Sequence, residues 1–205
     1  MKVNDIIEAF KERKAQHLNQ QKGHSYAILL PIIEENEKLY LLFQVRAQHL
    51  KIQPGEICFP GGRVEESDAG LMDAAIRETS EELGVDPLHI VDVHPLDYTI
   101  GNMNFYPFVG CLLEPQEIDP DPNEVESFFM ISLEELLAMS PLEHVVKFVP
   151  ALEDDFPFDL IPNCRDYQWY PREMTLYFYL YEDKVIWGLT AQFLHHFLDV
   201  VRDKN

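Results

Sequence analysis

Positive charge is scarce in this chain of 205 residues. Sixteen Lys and Arg stand against thirty-six Asp and Glu, for a formal net charge of -20. A nucleic-acid interface needs a basic stripe, and docking on anionic lipid needs the same, so both partner classes are excluded. Cysteine is scarce too. Cys58, Cys111 and Cys164 form neither a C-x-x-C pair nor an even-numbered framework, which excludes a disulfide scaffold and fits a reduced compartment. No run approaches the roughly 18 apolar residues of a membrane span, and no repeat or low-complexity tract occurs. The opening MKVNDIIEAFKERK lacks a continuous apolar stretch, and the closing VVRDKN is neither a peroxisomal address nor a lipidation signal. A cytoplasmic location is expected.

What is present suffices for a core, since 46% of residues are hydrophobic, which excludes global disorder. Val3, Ile6, Ile7 and Phe10 recur at helical spacing, predicting an N-terminal helix within residues 1–20. Residues 25–33 and 39–46 are rich in β-branched and apolar side chains and predict a hairpin around the polar 34–38. Asp73 to Leu83 reads as a helix stopped by Gly84. Strands are expected over 91–100, 105–113 and 124–131, with a loop over 114–123 and a helix opening at Ser132-Leu-Glu-Glu135. Five prolines between 140 and 172 predict an irregular insertion, followed by strands at 174–181 and 184–187 and a helix over 189–202. The expectation is one α+β domain spanning 1–205, with helices covering a mixed sheet.

The helix over 73–83 carries the chemistry. Glu78, Glu81 and Glu82 stand at i, i+3 and i+4, so three carboxylates can share one face. Like charges so placed destabilise a bare helix, and a hard divalent cation such as Mg²⁺ or Mn²⁺ removes that penalty. Acidic clusters are usually solvated surface. The context favours a site: Pro60, Gly61 and Gly62 precede the helix and allow backbone to approach a ligand, and Arg77 can hold a carboxylate by a forked contact.

The run from Gly62 to Val85 resembles a Nudix box, G-x5-E-x7-R-E-U-x-E-E-x-G-U, where U is aliphatic. Arg77-Glu-Thr-Ser-Glu-Glu-Leu-Gly-Val85 fits its second half, with Thr79 at the first U. Asp68 stands where the pattern has Glu, and eight residues rather than seven separate it from Arg77. Coenzyme A diphosphatases of this superfamily are similar at the same extra residue. Their upstream signature, L-L-T-x-R-[SA]-x3-R-x3-G-x3-F-P-G-G, is echoed by Leu41-Leu42, Arg46-Ala47, Lys51, Gly55 and Phe59-Pro-Gly-Gly62. Phe43 replaces the Thr, and one extra residue precedes Arg46.

The resemblance implies a Nudix α/β/α sandwich with a catalytic loop-helix-loop. It implies Mg²⁺ or Mn²⁺ on Glu78 and Glu82, with Glu81 as a third ligand or as the base. Glu124 is the other candidate base, against the plain reading of a loop acid before a strand. Arg77 belongs to the catalytic set, and Gly61, Gly62, Arg63, Arg46 and Lys51 are expected at the substrate. The implied reaction is hydrolysis of CoA or acyl-CoA to 3′,5′-ADP and (acyl-)4′-phosphopantetheine. The alternative is another nucleoside diphosphate derivative, such as ADP-ribose or a dinucleotide. A binding module without turnover would need a broken acidic set, and this one is complete. The expected partner is a small nucleotide, and a homodimer is left open. Tyr167, Trp169 and Tyr170 are aromatic candidates for stacking on it, although packing is their commoner role. His195 and His196 point about 100° apart on a helix and are not expected to share a metal.

Overall fold

The computed structural model describes residues 25–99 and 103–204. The predicted N-terminal helix lies outside them. Strands β1 (Ser25–Glu35) and β2 (Lys38–Arg46) form the predicted hairpin, closed by Asn36 and Glu37, both at positive φ. That pair of left-handed residues matches the twist of the flanking strands. β3 (Ile57–Cys58) and β4 (Gly61–Arg63) are short pieces of the glycine-rich loop. β5 (Ile90–Pro95), β6 (Asn104–Leu112) and β7 (Val125–Ser132) complete a seven-stranded mixed sheet. Its central pairing, β1 on β6, is parallel, while β2 pairs antiparallel with β1, β3 and β7.

Helices cover both faces. Side-chain alternation on β1 and β2 sends Leu30, Leu41 and Phe43 to one side and Ala27, Leu29 and Leu42 to the other. The first set packs under α3 (Gly188–Arg202) and α2 (Leu133–Ala138). The second packs under α1 (Leu71–Leu83) through Ala74, Ala75 and Leu83. Ser132 caps α2 as expected: its hydroxyl accepts from the Glu135 N–H at 3.2 Å and donates to the Glu135 carboxylate. Gly84 ends α1 in the left-handed conformation, φ 66°.

Residues 140–172 correct the expectation of an irregular insertion. β8 (Leu142–Phe148) lies within them and pairs in unbroken antiparallel register with β9 (Arg172–Tyr181), which also pairs with β10 (Lys184–Ile186). Prolines 141 and 150 bracket β8 rather than interrupt it, so the proline count hid a strand that contains none. Only the excursion over 149–171 is irregular apart from two 3-10 turns, and it packs on its own rings, with Phe156, Phe158, Tyr167 and Trp169 in edge contacts. The small sheet is joined to α3 by His195, which stacks on Tyr177 and hydrogen-bonds the Tyr179 hydroxyl at 2.8 Å.

Candidate active site

The site begins where β1 leaves β2. Ile32 to Glu35 of β1 pair with β2, whereas Tyr26 to Ile28 pair with β4, so the glycine loop enters the sheet at this divergence. Gly61 sits there at φ 146°, where a Cβ would collide with the Ala27 carbonyl. At Gly62 a Cβ would occupy the position of the Glu78 carboxylate. Gly61 thus lets the loop backbone pass against β1, and Gly62 lets it pass against Glu78 of α1.

On α1 the three glutamates divide. Glu82 shares the buried stripe of Ala74, Ala75 and Thr79 and is only 3% exposed. One of its oxygens accepts from the Gly61 N–H at 2.8 Å and the Gln44 amide at 2.9 Å. Burial pushes its carboxyl up to about 7, with the charges of Glu124 and Glu78 adding and the two hydrogen bonds opposing. Glu78, four residues earlier and nearly in line, is raised chiefly by burial too, against the pull of Arg77. Glu81 points about 100° from Glu82, and its side chain is 61% exposed on the other flank.

Arg77 explains both that flank and the departure at Asp68. Its guanidinium holds Asp68 through two bonds of 2.8 and 3.1 Å, Glu78 and Glu81 at 3.0 Å each, and the Arg63 carbonyl at 3.1 Å. Asp68, kept well below the usual carboxylate range by this contact, clamps the arginine that ties the loop to the helix. The clamp places Asp68 on Arg77 despite the extra residue in the loop between them. Thr79 is equally at home in an aliphatic position. It is fully buried, and its hydroxyl donates to the Ala75 carbonyl at 2.7 Å, so only its methyl meets the core.

A cavity of about 800 Å³ opens over this floor. Glu78, Glu82, Glu124, Arg46, Gly61, Gly62 and Arg63 line it; Glu81, Arg77 and Lys51 do not. Glu124 arrives by way of the 114–124 loop. The N–H groups of Asp119 and Asp121 cap the Leu83 and Glu82 carbonyls at 3.0 Å, and the Ala47 N–H donates to the Glu124 carbonyl at 2.9 Å. The opposite wall was not foreseen from the sequence. It is formed by Met174 and Leu176 of β9, Trp187, and Leu189 and Phe193 of α3, with the stacked pair Tyr26 and Phe105 beside it, 5.3 Å between centroids. Tyr167, Trp169 and Tyr170 lie in the excursion, away from the cavity. Gln44 was also missed. A glutamine between apolar neighbours of a buried strand is the one signal that pointed to it.

Among the described residues, no three His, Cys, Asp or Glu side chains converge on one metal-sized position. The donor set nevertheless suits a divalent cation. Glu82 is buried and Glu78 half-buried, their charges, with that of Glu124, burden one another, and hard oxygens are what Mg²⁺ and Mn²⁺ take. Cys58, beside Glu82, is pushed up to about 11 by burial and by that carboxylate, so it stays a protonated thiol rather than a nucleophilic thiolate. His195 and His196 part as expected, His196 turning to Asp97 at 2.9 Å.

Residues 23–152 match the model of the NUDIX domain. The chain is 32% identical over 176 residues to the mouse peroxisomal coenzyme A diphosphatase NUDT7, covering 80% of this chain and 70% of that one. It is 25% identical to the Nudix hydrolase NudL of Pectobacterium atrosepticum, covering 98% and 96%. A MutT/nudix family protein from Enterococcus faecalis aligns in structure with a TM-score of 0.51 at 16% identity, covering 98% of this chain and 70% of that one, and so shares the fold.

Proposed function

This chain belongs to the Nudix family of hydrolases, which act on pyrophosphate bonds with the aid of divalent cations, and from that premise we propose that it splits CoA or acyl-CoA into 3′,5′-ADP and (acyl-)4′-phosphopantetheine. The observation that carries this reading is the two-sided cavity: carboxylates and Arg46 on its floor, Met174, Leu176 and Trp187 on its wall. A diphosphate joined to a long, weakly polar arm fits such a pair of surfaces. The 32% identity to a coenzyme A diphosphatase supports the same substrate.

In this reading Glu78 and Glu82 would hold Mg²⁺ or Mn²⁺, which when bound would supply charge neutralisation at the diphosphate and at the leaving phosphate. Glu82 is held for that role by Gly61 and Gln44, which occupy one of its oxygens. Glu124 accepts the proton of the water that attacks phosphorus as the bridging P–O bond breaks. Glu81 is spoken for by Arg77, and Arg77 positions Glu78 from behind the helix. Arg46 has a buried Nε with no hydrogen-bond partner among the described residues, a donor that a phosphate of the substrate would satisfy. Lys51, exposed and outside the cavity, is withdrawn from the substrate-binding set.

The test is incubation of the purified protein with Mg²⁺ or Mn²⁺ and CoA, dephospho-CoA, ADP-ribose or NADH, with products separated by chromatography. CoA should be the best substrate. Arg46→Ala should cost about ten- to a hundredfold in kcat/KM on CoA, the worth of one charge-assisted contact, and less on dephospho-CoA. Preference for ADP-ribose would overturn the CoA assignment and leave the Nudix chemistry intact.

A further inference from the structure

One edge of the small sheet is open. β8 pairs with β9 on one side, and no described strand pairs with its other side. Such an edge offers a row of unpaired N–H and C=O groups, and natural proteins blunt it with charged side chains, proline, a bulge or a cover. Among the described residues β8 has no proline, bulge or covering strand, and its charges are Glu143 and Lys147. Its register on β9 is unbroken, and Leu142, Val145 and Phe148 are 52%, 61% and 49% exposed.

The two faces of the strand follow from its partner. Glu143 and Val145 lie opposite Tyr177 and Thr175, on the side where Tyr177 meets His195 of α3, and Lys147 shares it. Leu142, His144, Val146 and Phe148 lie on the opposite face, which they share with Met174 and Leu176 of the cavity wall and with Phe178, which stacks on Trp187.

We propose that β8 is a self-association edge: a second copy pairs with it antiparallel about a two-fold axis through Val145, making one continuous six-stranded sheet. Counting outward from that axis sets Glu143 of each copy against Lys147 of the other, and does so twice. On the cavity-wall face it sets Leu142 against Phe148 and His144 against Val146, each twice, while Val145 meets its own counterpart on the face of the ion pairs. Moving the axis to His144 sets Glu143 against Val145, and moving it to Val146 sets Lys147 against Val145; neither keeps an ion pair. Slipping the pairing by one residue turns each of these side chains to the wrong face. An isologous interface must be self-complementary, and LEHVVKF is so in this register. For a chain of charge -20, two copies can meet only where local charges match. An unrelated extended peptide would gain the backbone bonds but not the reciprocal pairs.

Sedimentation equilibrium of the full chain, from about 1 to 200 μM, reads the mass without reference to activity. The expected species is twice 23.9 kDa. Lys147→Glu, or Glu143→Lys, replaces two attractive cross-strand pairs by two repulsive ones and should weaken the dimer by about tenfold or more. The double swap restores the pairs and should restore the dimer. The Lys147 bond to Glu173 within the chain, 2.9 Å, is lost equally in Lys147→Glu and in the swap, so recovery reports the interface alone. A monomer throughout that range overturns the proposal. So does a dimer indifferent to either reversal, or a swap no better than the single changes.

Discussion

The floor of the cavity is held by charge and hydrogen bonds, whereas its wall is held by apolar contact and stacked rings. On the floor, Glu82 takes two donors and Arg77 gives five bonds, so each polar group is placed to within a bond length. On the wall, Met174, Leu176, Phe193 and the Phe178–Trp187 stack accept a range of shapes. The difference divides the labour. In the proposed reading the floor fixes the atoms that react, and a displacement of about an ångström there can cost a hundredfold in rate. In that reading the wall need only exclude water and hold an arm, where each contact is worth little and is replaceable. Damage to the floor should therefore reach turnover, and damage to the wall should reach only binding.

The contrast breaks most visibly at Glu78 and Glu82. Either Glu→Gln change should lower kcat on CoA by about a thousandfold while circular dichroism stays that of the parent, since charge stabilisation at the reacting phosphate is lost. Loss of folding in both, rather than loss of turnover, would count against the floor as the reacting half.

The next effect is on stability. Burial raises the Glu82 carboxyl from an ordinary 4.5 to about 7, so the folded protein favours its protonated form. That contribution is fully present below pH 4.5 and is lost as pH rises through 7, on the order of 3 kcal/mol. Without divalent cation, Glu82→Gln should melt higher than the parent at pH 8, and the gap should close toward pH 5. Mg²⁺ or Mn²⁺ should raise the parent's melting temperature at pH 8 and move the variant less. Identical melting curves across that pH range would remove the buried charge from the account.

Gln44 sharpens the comparison, because it holds Glu82 without lining the cavity. Gln44→Leu leaves Glu82 one donor short and should weaken divalent-cation binding, read by titration calorimetry, by about ten- to a hundredfold. A merely packing role would move the melting temperature and not the cation affinity. The smallest effect belongs to the wall. Trp187→Ala should raise KM for CoA about fivefold with kcat nearly unchanged, the pattern of lost uniform binding. A matching fall in kcat would show that the wall also orients the reacting end.

How much of this was legible follows the same division. The hairpin at 34–38, the helix ending at Gly84 and the cap at Ser132 were readable because their causes are local: two left-handed turn residues, a left-handed stop, and a hydroxyl three residues from a carboxylate. Spacing also gave three glutamates on one side of α1, but spacing fixes only angles. Glu82 faces the core because Ala74, Ala75 and Thr79 do, while Glu81, on the far flank, meets Arg77 instead. The strand β8 was unreadable for a different reason. It pairs with a strand more than twenty residues away, and composition averaged over the proline-bracketed stretch concealed it.

The sequence alone determined the chemistry of the floor, because Gly61 to Gly84 is one contiguous run whose residue types and periodicity suffice to put glycine backbone beside helical carboxylates. Only the tertiary structure decided which carboxylates meet. Asp68 went to Arg77 and Glu124 came to Glu82, through a bidentate clamp and backbone caps that no spacing encodes. It also decided the wall, which draws on β1, β6, β9, Trp187 and α3. Apolar side chains carry no mark of which neighbour they will meet; that is settled when the sheet and helices pack, and the cavity is what their packing leaves open.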